Sequence, residues 1–374
     1  MNTRYTKFFI GLFASLAFVA CKKNYSKDDL LTPKNTASLF ISSQSGIVYA
    51  LNPTDGSKKW EFYTGSTVSG TPYIANGNLY VVSEDGYLHK LDPNTGAEIK
   101  KFNFSTSIVT SPIGDGNYIY FGGGNGQFFC WDIVNDVVAW TFTAGGAIRS
   151  SAAIEDSNIV FGCDNGSVYA LSKKFGTNTW TWPSPSGTQF YSSPAVNGDR
   201  IYIGGYDGSM YALRGSDGSM RWSYQTGGSI LSSPVSYGGN IIFGSYDTKL
   251  YCIDSGSGLP RWINKTNDRI TCSPYAADQI IYVGSYDYYL YAFHIITGEL
   301  RWKVKTDGLI KSSPLVHDNT IFYAGYDRNV YSSDTAKGVL NWKRDLDNTI
   351  DASPVLLDSN GKAFYPSISG AGPY

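Results

Sequence analysis

The chain has 374 residues, 42% of them apolar, which is enough for one large domain or two ordinary ones with a substantial core. Its 30 Lys and Arg stand against 31 Asp and Glu, and no window beyond the first residues is strongly basic, which excludes the counterion-displacing stripe that nucleic acid binding needs. With 29 Tyr, 41 Gly and 9 Trp, the composition favours many short strands joined by tight turns.

Residues 1–21 have the pattern of an export signal. Arg4 and Lys7 precede an apolar run from Phe8 to Ala20, and Phe18-Val19-Ala20-Cys21 resembles a bacterial lipobox, in which Cys21 is lipidated and becomes the mature N-terminus. The alternatives are an ordinary cleaved signal and a membrane helix, although the run falls short of the ~20 residues of a comfortable span. Residues 22–36 form a polar tether, in which Ser26-Lys27-Asp28-Asp29 resembles a signal for delivery to the cell surface. The other cysteines, Cys130, Cys163, Cys252 and Cys272, show no spacing of a disulfide framework or a metal knuckle. Cys130 and Cys252 stand where other units have Ala, as small core residues do.

From residue 37 to residue 370 the text repeats. Ser-Pro or a near equivalent ends at Pro72, Pro112, Ala152, Pro194, Pro234, Pro274, Pro314 and Pro354, forty residues apart except for forty-two between Ala152 and Pro194. Trp60, Trp140, Trp180, Trp222, Trp262, Trp302 and Trp342 mark a second position of the unit, with Lys100 in the missing place. Eight units of about forty residues predict an eight-bladed β-propeller of four-stranded antiparallel blades. In one unit the strands are predicted at Ile310–Pro314, Thr320–Tyr323, Asn329–Tyr331 and Val339–Lys343, and the frequent Asp-Gly pairs predict type I′ hairpins. Residues 350–355 are expected to complete the first blade. Of the two flanking segments, Ser38–Ile41 and Ala363–Tyr365, one is then surplus.

The pattern Tyr-Ala-Leu, two or three polar residues, Thr-Gly or Asp-Gly, three residues and Trp resembles the PQQ-type propeller repeat of the quinoprotein family across residues 37–370. The resemblance implies that the seven tryptophans pack flat between blades near the Gly turn. Lys100 would then mark a weaker seam, where a Trp should be neutral or stabilising. The dehydrogenases of that family carry an adjacent Cys-Cys pair, calcium ligands and an Asp base. No Cys-Cys pair or Cys-x-x-Cys-His is present here, no catalytic position carries over, and neither a cofactor nor an enzymatic activity is expected. His89, His294 and His317 fall in separate places of the repeat, and the Gly-rich GGGNG at 122–126 is an ordinary interstrand turn, so neither a metal nor a phosphate site is expected.

What varies between units is available for recognition. Before the Ser-Ser-Pro stand Ser69, Val109, Arg149, Tyr191, Leu231, Thr271, Lys311 and Asp351, expected near the mouth of the central channel. The turn between second and third strands has Gln44, Glu84, Gly124 and Asp164 in four units and then Tyr206, Tyr246, Tyr286 and Tyr326, each followed by Asp. Those tyrosines form a candidate partner-binding arc, with Trp182 in a stiff neighbouring loop and Arg149, Tyr191, Lys311 and Asp351 as further candidates. Length, lipobox and minimal blades resemble the lipid-anchored BamB-type members. That resemblance implies a scaffold at the outer membrane, facing the periplasm or the cell surface, with a protein partner of outer-membrane protein assembly. The alternatives are a surface lipoprotein that binds glycan through the arc and, third, a PQQ-dependent dehydrogenase.

Overall fold

The computed structural model describes residues 36–366, and among them all regular structure is β. The export signal, Cys21, nearly all of the tether and residues 367–370 lie outside the described residues. Seven blades run directly along the chain, from Tyr73–Ala75 to Glu98–Asn103 in blade two and from Leu315–His317 to Leu340–Asp345 in blade eight. Blade one combines both ends: Val355–Leu357 supplies its inner strand, and Ser38–Ser42, Ile47–Leu51 and Lys58–Tyr63 supply the other three. The sheets close as an eight-bladed ring, and each is antiparallel.

The inner strands begin just after the Ser-Ser-Pro, not within it as the repeat predicts. In blade eight Leu315–His317 is the strand and Ile310–Pro314 is irregular; in blade one the strand is Val355–Leu357, not 350–355. The reason is local. Proline has no N–H for a ladder, and the serine hydroxyls take the backbone bonds instead. Ser312 Oγ accepts from Ala324 N and donates to Ala324 O, both at 2.8 Å, within its own blade. Ser313 N donates to Ser353 Oγ of the next blade at 2.9 Å, and the same link recurs from Thr71 N to Ser111 Oγ onward.

Two successive left-handed residues, as type I′ needs, occur between first and second strands at Asn76-Gly77, Gly238-Gly239 and Asp278-Gln279, but the turns between second and third strands differ. Each turn between second and third strands has one left-handed residue where type I′ needs two: Gly208 at φ 84° in blade five, and Thr248, Tyr288 and Arg328 at φ 72°, 72° and 69° in blades six to eight. A type I turn closed by one left-handed residue fits this pattern, and the last three blades accept it without glycine.

The core lies between blades. Val160 and Val168 of blade four pack with Ile201 and Leu213 of blade five in one apolar cluster, and similar clusters fill the other seams. Beside each Trp the ladder slips by one residue, as between Ala292 and Phe293 opposite Trp302, and the bulge turns the indole toward the next blade. Every indole N–H of the seven reaches a turn carbonyl there, at 2.7–3.2 Å; Trp302 bonds Thr335 O, and Trp342 bonds Pro53 O to close the ring. The indole face lies on a glycine: a Cβ on Gly338 would come within 2.7 Å of the Trp302 ring. Lys100 is the exception, paired with Asp136 where a glycine would stand.

The surplus segment is Ala363–Phe364. It adds a fifth strand to the inner edge of blade one, inside the channel. Phe364 lies 4.2 Å from the His317 ring, and Tyr365 stacks on Tyr73 at 5.4 Å and 18°.

Candidate functional site at the channel mouth

Two sets of loops build one mouth of the ring. One is the turn between second and third strands; the other carries the chain from an outer strand into the next inner strand. Their backbones are joined in the same way in all eight blades: the turn residue donates its N–H to a loop carbonyl, from Gln44 N to Thr349 O at 3.0 Å round to Tyr326 N to Leu309 O at 2.9 Å. With the backbone satisfied, side chains at these positions are free to differ.

The Asp of each Tyr-Asp belongs to this frame. Asp287 Oδ1 accepts from Tyr289 N, and its Oδ2 accepts from the Tyr291 hydroxyl at 2.6 Å and from Asn267 N at 2.9 Å. Asp207, Asp247 and Asp327 hold Tyr211, Tyr251 and Tyr331 in the same way. Burial, then the hydrogen bond to Asp, raises the pKa of each of these four phenols above its ordinary value.

The tyrosine before each Asp turns outward. Tyr206 is 51% exposed, and Tyr246, Tyr286 and Tyr326 are partly exposed. The arc and the ring of residues before Ser-Ser-Pro meet as one surface. Tyr191 packs edge-on against Tyr206 at 5.6 Å, and Arg149 Nε binds Asp164 at 3.0 Å while lying 6.0 Å from the Tyr191 ring. Lys311 Nζ binds Asp351 at 2.9 Å and lies 5.9 Å from the Tyr326 ring. Gln44 Nε2 donates to the Tyr326 hydroxyl and to Asp351 Oδ2, at 3.0 and 3.1 Å, so Gln44 joins the arc across the closure of the ring. Burial opposes the charge on Lys311, but Asp351 outweighs it and the pKa of Lys311 is raised. Its ammonium is therefore a fixed cation of the mouth.

Arg269 completes the surface. Its guanidinium lies between two tyrosines, 5.0 Å from the Tyr246 ring and 4.4 Å from the Tyr286 ring. Sequence reasoning misses it, because it occupies a loop position held elsewhere by Thr67, Ser107, Ala147, Gln189, Ser229, Leu309 and Thr349, whose only common feature is variation.

Trp182 is not part of this surface. It belongs to the outer strand Asn178–Pro183 and packs in the seam, 5.0 Å from Tyr211 and 6.3 Å from Phe190. An outer strand alternates its faces, and the phase set by Trp180 turns Trp182 to the next blade as well. The extra residues of this unit lie just beyond it, where Pro185, Ser186 and Gly187 are exposed and Ser186 donates to Asp207.

The histidines stay apart. His89 is buried between Glu98 and Ser83, His294 is bonded to Thr297, and His317 faces Phe364. Among the described residues no group of three or more His, Cys, Asp or Glu side chains could hold a metal ion. Cys130, Cys163, Cys252 and Cys272 are free and buried.

No curated protein sequence matches the chain. Among solved structures it is similar to BamB from Moraxella catarrhalis, at 15% identity over 79% of this chain and 96% of that one, with a TM-score of 0.67. It is also similar to the computationally designed Ika8 protein (14%, 79% and 95%, TM-score 0.70). A third likeness is to the quinohemoprotein alcohol dehydrogenase ADHIIG from Pseudomonas putida HK5 (14%, 89% and 72%, TM-score 0.67). At such identities these likenesses show the fold alone. The sequence profile of one family matches residues 31–99, 84–296 and 267–365, nearly the whole described ring, and the chain belongs to that family, described as outer membrane protein assembly factor BamB.

Proposed function

We propose that the chain is a lipid-anchored scaffold at the outer membrane, facing the periplasm or the cell surface, that holds a protein partner of outer-membrane protein assembly at the channel mouth and has no enzymatic activity. The observation that carries this reading is the mouth itself: a backbone frame repeated eight times presents side chains that vary between blades, with aromatic and cationic groups gathered in one arc. Tyrosine and arginine are the residue types that anchor protein interfaces. Family membership supports the setting.

The test has two parts. Cys21→Ser should move the protein from the membrane fraction to the soluble one, since lipid chains supply about 0.8 kcal/mol per buried methylene. Photo-crosslinking from position 189, exposed beside Tyr206, should capture an outer-membrane β-barrel or a component that assembles one, and capture should be lost when Tyr206, Tyr246, Tyr286 and Tyr326 are all changed to Ser. Normal capture by that variant would refute the arc as the binding surface.

The half-exposed Tyr206, set edge-on to Tyr191, favours a second reading in which the arc stacks on sugars. Glycan retention without protein capture would select it. Added PQQ and calcium should give no rise in melting temperature, because a ligand of the native state stabilises it by mass action.

A further inference from the structure

Two residues beyond the mouth ring the channel holds a cavity of about 110 Å³, lined by Thr71, by the second serine of the Ser-Ser-Pro or its equivalent from Ser111 to Ser353, and by Pro366. Seven of these hydroxyl oxygens accept a backbone N–H from the neighbouring blade, at 2.8–3.2 Å. Among the described residues none of the eight donates a hydrogen bond. A hydroxyl that already accepts an N–H bond keeps a polarised O–H to give. Thr71 goes further: only 7% exposed, it lines the cavity, and among the described residues its Oγ1 neither accepts nor donates.

Eight donors therefore converge on one small space, and no carboxylate lines it. The volume is about that of three or four waters. It lies far below the roughly 300 Å³ at which drug-sized ligands begin, so a quinone does not fit. We propose that this cavity is a binding site for a small anion, halide-sized or a carboxylate, held by hydroxyl donors without a paired cation. The role of Ser-Ser-Pro is then double, since the hydroxyls that tie blade to blade through their acceptor side serve the anion through their donor side. The site is independent of the partner proposed for the mouth.

The folded chain offers a clean variant. Thr71→Val keeps the shape and breaks no bond of the ring, because Thr71 contributes only its backbone N–H to that circle. Crystals of the wild type soaked in bromide should show an anomalous peak inside the hydroxyl ring. A parallel soak in acetate distinguishes a carboxylate from a simple halide. In solution, bromide or acetate should raise the melting temperature of the wild type, and Thr71→Val should weaken that binding about tenfold, as expected for one hydrogen bond to a charged group. Water-like density with no anomalous signal in the ring would overturn the proposal. So would an anion-dependent shift that is unchanged in Thr71→Val.

Discussion

Lys100 of blade two meets Asp136 of blade three at 3.4 Å, in the seam position where each of the other seven presses a Trp onto a glycine. Lys90 Nζ binds the same carboxylate at 3.2 Å. The apolar volume is made up from the far side: Trp131 of blade three is 5% exposed and lies 4.4 Å from the Phe102 ring. Both partners of the usual contact have changed together, so the seam is rebuilt and not simply weaker, as Lys100 alone implied.

Lys100→Trp is therefore expected to destabilise when made alone, by about 1–3 kcal/mol, because Asp136 has a Cβ where the other seams need bare backbone. Asp136 is already at φ 55°, so Asp136→Gly is compatible with its backbone. Combined with Lys100→Trp it should recover much of the loss. Denaturation midpoints of the two single variants, the double variant and the wild type give the coupling energy. Additive effects would show that the two positions do not meet as described.

Trp302→Ala should be far more costly than any change at Lys100. It removes the stack on Gly338 and the bond to Thr335 O, and opens a cavity beside Val304 and Tyr282 in one seam. The expected loss is about 3–5 kcal/mol by chemical denaturation. A loss below 1 kcal/mol would mean that the indoles do not carry the contact between blades.

The propeller could be read from the chain because each blade repeats one residue for one purpose. Trp302 and Pro314 recur with their neighbours at nearly constant spacing, and a repeat reports whatever every unit must do. Features that depend on ring closure leave no such trace. Gln44 reaches Tyr326 only because the last blade closes on the first. Arg269 lies between two tyrosines from neighbouring turns, about twenty residues away on either side, in a loop with no consensus. The pairing of Ala363–Phe364 inside the channel rests on two residues outside any unit. The sequence hides the place of Trp182 for a related reason: its flanking prolines resemble a loop, while its strand phase is set by Trp180.

Stability should fall in alkali, beginning above pH 9. Burial pushes the thiols of Cys130, Cys252 and Cys272 from 9.0 up to about 12, and the phenols of Tyr80, Tyr282 and Tyr323 from 10.0 up to about 12. A raised folded value means that the unfolded chain loses its protons first, so the stabilisation is complete below pH 9 and drains away as the pH climbs toward 12. Cys272→Ser isolates one group. The thiol bonds Gly284 N and Gly284 O as Ser312 bonds Ala324, so serine should be nearly neutral at pH 7. Above pH 9 the variant should gain on the wild type by up to about 1.4 kcal/mol per pH unit. Parallel stability curves between pH 9 and 11 would contradict the burial of that thiol.

Tyr365 ties the inserted strand to the neighbouring blade. Its hydroxyl accepts from Ile74 N at 2.9 Å and donates to Ile74 O at 3.1 Å, so the channel-facing backbone of blade two's inner strand is satisfied by a residue from the other end of the chain. Tyr365→Phe keeps the stack on Tyr73 but leaves both groups of Ile74 without that partner, at a cost of about 1–3 kcal/mol. Ending the chain after Lys362 removes the same bonds together with the Phe364 contact on His317. The ring itself should remain folded, because Val355–Leu357 already completes blade one. Hydrogen exchange distinguishes the two levels of damage. In both variants the Ile74 amide should exchange much faster, while amides of the second strands, such as Tyr80, keep their protection. Unchanged exchange at Ile74 in Tyr365→Phe would show that the hydroxyl does not hold this strand, and loss of protection at Tyr80 after truncation would make the inserted segment part of the fold's core.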